Sequence, residues 1–202
     1  MNQEIPTAPG AGEQEDIQSR LETPGAGIPW LEGKLMGLGF RLMARRLSRQ
    51  QILAKFEAEA GRMLAMVEPL PEEQGRKRVL IPRQRGMEDS SRFWSPYMIL
   101  QHVTIVNRGM TMLLRGMSHG KLPDRKVSTA DVKPKLDAGP QEIASFRDTV
   151  ASCSDIIRSL GPLDPALRHL HPWFGRMNAS QWLCLMTEHH GVHRRQMELV
   201  LK

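Results

Sequence analysis

Apolar side chains recur at helical spacing in five stretches of the chain. Between Trp30 and Arg49, Leu31, Leu35, Leu38 and Leu42 form a stripe that Met36, Phe40, Met43 and Leu47 widen. Arg41, Arg45, Arg46 and Arg49 lie beside it, and Gly37 and Gly39 weaken the helical pattern. Ile52, Phe56, Ala60, Met63 and Val67 mark a second helix, which Pro69 and Pro71 end. Ser95-Pro96 opens a third, with Ser95 as N-cap and Pro96 at the first helical position, and it runs to about Met117. A fourth spans Pro140 to Leu160, burying Ile143, Phe146, Val150, Cys153, Ile157 and Leu160, and stops at Gly161-Pro162. The last starts after Asn178, a good N-cap, and continues to the C-terminus. Residues 72–93 and 118–139 read as long loops, and no strand-period segment exceeds a few residues.

Four long amphipathic helices from residue 49 onward predict an all-α fold, a four-helix bundle over 49–202. Residues 30–48 form an amphipathic basic helical extension in front of it. Residues 1–29 are acidic, rich in Gly and Pro and poor in large apolar residues. Too little surface can be buried there to offset ordering entropy, which predicts a disordered tail.

Composition narrows the function classes. The formal charge of +6 is spread along 202 residues rather than gathered on one face, only one Tyr and five Phe are available for stacking, and no groove-reading module is present. Nucleic acid is therefore not the expected partner. No run reaches the roughly 18 uninterrupted apolar residues of a membrane span, and the N-terminus carries no signal-peptide pattern. Cys153 and Cys184 sit among apolar residues outside any C-x-x-C motif and read as buried thiols in a reducing, cytoplasmic setting. The basic 30–48 segment is expected to pack on its own domain with Arg stems over apolar surface; the other outcome for such a helix is contact with an anionic membrane surface.

Candidate chemistry rests on histidines. On the last helix Trp182, His189, His193, Gln196 and Val200 fall on one narrow seam, so two imidazoles point inward, while His190, Arg194 and Glu188 are expected to face away. Residues four apart stack on one face, so His189 and His193 can share a cation. His102 shares a face with Met98, Ile105, Gly109 and Met112, and Gly109 and Gly116 would leave space near a pocket. Spacing alone leaves two readings open: core histidines satisfied by hydrogen bonds, or a three-histidine site with open coordination positions.

The stretch Trp94-Ser95-Pro96-Tyr97-Met98-Ile99-Leu100-Gln101-His102 resembles the second-helix signature of the DinB/YfiT-like metal-binding superfamily. His171-Pro172-Trp173-Phe174-Gly175-Arg176-Met177-Asn178-Ala179-Ser180-Gln181-Trp182, followed by His189, His193 and Gln196, is similar to its last-helix signature. The resemblance covers roughly residues 49–202 and implies His102, His189 and His193 as ligands of a divalent ion such as Zn²⁺, Ni²⁺, Mn²⁺ or Fe²⁺, among which imidazole ligation does not discriminate. Relatives include metal-dependent thiol-transferases and isomerases that use low-molecular-weight thiols, and bundles of this type commonly form homodimers.

The expectation is thus a metal-dependent enzyme activating a thiol or water for transfer or hydrolysis on a small-molecule substrate. Gln196 would orient a ligand or substrate, His171 would act at the pocket mouth as general acid or base, and Trp94, Trp173 and Trp182 would wall the pocket. The alternative is a non-enzymatic helical interaction or stress-related protein whose histidines only staple the bundle.

Overall fold

The computed structural model describes residues 11–123 and 128–202. Its helices follow the local signals. After α1 (Ala11–Ser19) and α2 (Trp30–Arg46), helix α3 (Arg49–Val67) starts at a capping box in which Ser48 and Gln51 bond each other's backbone amides. A short helix, α4 (Glu72–Arg76), and strand β1 (Val79–Leu80) lead to β2 (Phe93–Trp94). Ser95 then caps α5 (Pro96–Ser118), accepting from the Met98 amide. Helix α6 (Gln141–Ser159) is followed by a hairpin, β3 (Arg168–His171) and β4 (Gly175–Asn178), with Arg168 opposite Asn178 and Gly175 at φ 76 in the turn. Asn178 and Gln181 form the capping box of α7 (Ala179–Val200).

Helices α3, α7, α5 and α6 pack in that cyclic order as a four-helix bundle, and α2 lies outside against α7. The predicted stripe of α3 is buried throughout. On α6, Phe146, Cys153, Ile157 and Leu160 are buried, with Ile143 and Val150 at the edge. The core has two ends. One gathers Phe40, Phe56, Leu114, Ile157, Trp182 and Leu183, the other Met63, Trp94, Tyr97, Leu100, Phe146 and Met197.

Three expectations change. Residues 72–93 are not plain loop, since α4 and the β1–β2 ladder (Val79 opposite Trp94) tie this segment to the start of α5. On α2 the packed face is Gly33, Gly37 and Phe40 with Met36, Met43 and Leu47 beside them, opposite the leucine stripe. The glycines let the helix lie against the β3–β4 turn: a Cβ on Gly33 would sit 3.1 Å from the Trp173 carbonyl oxygen. Of the segment 1–29, residues 1–10 lie outside the described residues. Residues 11–29 are placed against the domain, with the Glu22 amide donating to Asp89 (3.0 Å) and the Gly27 amide to Glu88 (3.1 Å).

Candidate metal centre

The second turn of α5 supplies His102, and the middle of α7 supplies His189 and His193. Their Nε2 atoms converge: His189 Nε2 lies 3.2 Å from that of His102 and 3.1 Å from that of His193. His102 and His193 are buried and His189 is half-buried. Each outer ring is oriented from behind. His102 Nδ1–H donates to the Val132 carbonyl oxygen at 2.7 Å, and His193 Nδ1–H to Gln196 Oε1 at 2.7 Å. With the proton fixed on Nδ1, each ring presents a lone pair at Nε2. The Gln196 amide is oriented in turn, donating to the Ser91 carbonyl oxygen at 2.7 Å. Gln196 therefore bonds His193 and the loop at once.

The second support is a node sequence reasoning missed. Lys133 Nζ donates to Ser90 Oγ (2.8 Å) and Ser91 Oγ (2.9 Å), and it pairs with buried Glu88 at 3.2 Å. It also lies 5.3 Å from the centre of the Trp94 ring, which stacks on His193 and touches His102. Lys133 follows the residue that holds His102, and Ser91 is the residue that holds Gln196. One ammonium thus ties both ligand-orienting carbonyls together, across the loops 72–93 and 118–139. Nothing periodic marks these loop residues in the sequence; one Lys of a Lys-Pro-Lys run carries no signal.

Burial sets the charge state. It holds His102 and His189 well below the ordinary imidazole range, with His193 adding to both, and it brings His193 down to about 4. Three rings held toward their neutral forms, with their Nε2 atoms converging, form a donor set suited to a divalent cation. His189 Nδ1 is buried without a partner, and its Nε2 meets the two other imidazole nitrogens. Nitrogens bound to one ion at 2.0–2.1 Å stand roughly 3.0–3.4 Å apart, and the observed separations match. The donor set fits a divalent metal, and among the described residues these three form a cluster that could hold one.

Other expected residues lie elsewhere. His171 does not join the cluster; its Nδ1 accepts from the Trp173 amide at 3.1 Å and its ring stacks on Phe174 at 4.4 Å. Burial, with His169 adding, lowers its pKa to about 3. It caps the hairpin. Trp182 packs on His169 and His171 and Trp173 against Gly27, so only Trp94 walls the histidine cluster. Met112 is exposed and nothing approaches Gly109, so the inward face of α5 runs through Met98, His102, Val106 and Asn107 instead. Gly116 serves the helix end, where a Cβ would meet the Lys121 carbonyl oxygen at 3.0 Å. His190, expected toward solvent, is fully buried, and Arg194 turns to Glu59 at 2.6 Å.

Comparison with known families decides the lineage: the sequence profile of the DinB superfamily matches residues 30–197. The chain belongs to the DinB superfamily. The match starts at Trp30, so α2 is part of the DinB region, whereas the sequence signature alone begins at 49. Among solved structures the chain is similar to TT2238, described as a four-helix bundle protein. The identity is 19% and the TM-score 0.51, over 75% of this chain and 98% of that one, a likeness of fold alone. No curated protein matches the chain. No helix of the described residues is long and apolar enough to cross a membrane.

Proposed function

We propose that this DinB-superfamily protein is a metal-dependent enzyme whose divalent ion is held by His102, His189 and His193. The observation that carries the reading is the convergence of three neutral Nε2 atoms, two of them aimed by hydrogen bonds at the opposite ring nitrogen. When bound, the ion would supply Lewis acidity, lowering the pKa of a thiol or water so that it is a nucleophile near neutral pH. His102 and His193 keep their protons on Nδ1, so both rings offer lone pairs to the site. Gln196 and the Val132 carbonyl stop those rings turning. Trp94 covers one flank and excludes water there. The resemblance to thiol-using relatives makes an external low-molecular-weight thiol the favoured cosubstrate, and the chain's own thiols are unsuited to that part. Burial, with Glu188 adding, pushes Cys184 up to about 12, and burial raises Cys153. Free buried thiols also suit a cytoplasmic protein.

The second reading, a metal-stapled or metal-free helical interaction protein, draws on the burial of His102 and His193. One experiment separates the readings: metal content and thermal melting of tag-free wild type beside H189A/H193A. About one divalent ion per chain in the wild type and none in the variant is expected. Loss of thiol-dependent transfer with a small change in melting temperature supports the enzyme, whereas a collapse in melting temperature supports the staple. Absence of metal from both proteins after reconstitution with Zn²⁺, Ni²⁺ and Mn²⁺ defeats the proposal.

A further inference from the structure

Helix α2 is packed on one side and bare on the other. Gly33, Gly37 and Phe40 hold it flat against the β3–β4 turn and α7. The opposite side carries Leu31 (61% exposed), Leu35 (61%), Leu38 (50%) and Leu42 (41%), an apolar stripe about three turns long, and Trp30 (75%) stands exposed at the helix start. Scattered exposed leucines are ordinary, but four on one line, with an exposed Trp at the helix start, mark a surface with a partner. Because the buried face anchors the helix, the stripe is presented rigidly and cannot fold back into the core.

The charges beside the stripe say what kind of partner. Lys34, Arg41, Arg45 and Arg46 are all exposed along it. The sole acid of the helix, Glu32, is turned away and occupied, accepting from Arg83 at 2.8 Å and from the Gly86 amide at 2.5 Å. A second copy of this helix laid across the stripe would set cation against cation along both edges, which disfavours self-association. The complement is a surface that is apolar within and anionic at its rim. We infer that α2 docks on an anionic phospholipid bilayer, lying in the headgroup plane with Trp30 and the four leucines inserted and the basic residues on the lipid phosphates. The protein then binds the membrane peripherally, without a spanning segment.

The test is co-sedimentation of the full chain with vesicles of phosphatidylcholine alone and of phosphatidylcholine mixed with phosphatidylglycerol. Light scattering on lipid-free protein runs beside it. Binding to the anionic vesicles only, weakening as salt rises, is expected. L35S/L38S should abolish it, and R41E/R45E should weaken it at least about thirtyfold, since each basic residue near such a surface contributes roughly a factor of five to binding. These side chains are exposed, so both variants should keep the wild-type melting temperature, which guards against misreading a folding failure. Wild-type binding to neither vesicle overturns the inference. So does a lipid-free dimer that L35S/L38S converts to monomer, because a second copy would then cover the stripe.

Discussion

His189 and His190 are neighbours on α7, and both rings are kept neutral by burial, yet they occupy opposite chemical situations. His190 sits between Phe56 (ring centres 4.3 Å apart) and Phe146, and its Nε2 meets the Asn107 carboxamide at 3.0 Å. The Asn107 carboxamide supplies a partner for that nitrogen. His189 Nε2 instead faces two other imidazole Nε2 atoms, while Nδ1 is buried without a partner in both rings. Burial therefore does not distinguish the two histidines, and neither does Nδ1. What distinguishes them is what meets Nε2: a carboxamide at His190, further imidazole nitrogens at His189.

The sharpest break in this comparison is H189A/H193A, which should remove bound metal altogether, read by elemental analysis, while N107A leaves metal stoichiometry intact. N107A acts on stability instead. Stranding the buried His190 nitrogen should cost about 1–3 kcal/mol, measured by denaturant unfolding of the metal-free protein. If N107A also empties the site, the two histidines are not independent.

Substitutions behind the ligands should act between these extremes. K133M and Q196L each leave all three imidazoles in place but release one orienting carbonyl, so metal affinity should fall 10- to 100-fold by competition with a chelating dye. K133R should recover part of the loss. An unchanged affinity in K133M would reduce the Glu88–Lys133 node to loop packing.

A weaker, graded effect is expected from pH in metal-free protein. Burial lowers His171 and His190 to about 3, whereas an unfolded imidazole titrates near 6.5. Between those values the unfolded chain binds protons that the folded chain does not. Stability is full above pH 6.5 and declines as pH falls toward 3. The denaturant midpoint should therefore drop from pH 7 to pH 5. The smallest effect is on α2, where L35S/L38S should change stability by no more than about 0.5 kcal/mol per site, since neither side chain packs on the core.

Much of this molecule is legible in its sequence. Apolar spacing placed α3, α5, α6 and α7 to within a residue or two, because a side chain that must be buried every third or fourth position leaves a periodic trace. The caps Ser95 and Asn178 follow from local hydrogen bonding to the next turn, which needs no tertiary partner. The His-x-x-x-His spacing likewise made His189 and His193 neighbours by helix geometry alone. Tertiary structure decided the rest. The apolar arc of α7 is wider than its seam, since α7 touches α2, α3 and α5 at once, and so His190 turned inward where spacing alone pointed it to solvent. On α2 two opposed apolar faces competed, and the glycines settled the contest by allowing close approach to Trp173 and Phe174. Glu88, Ser91, Val132 and Lys133 converge from two loops that carry no period, so only the folded chain brings them behind the histidines. Helical repeats are local physics readable in one dimension; which demands are met, and by whom, is a property of contacts between distant segments.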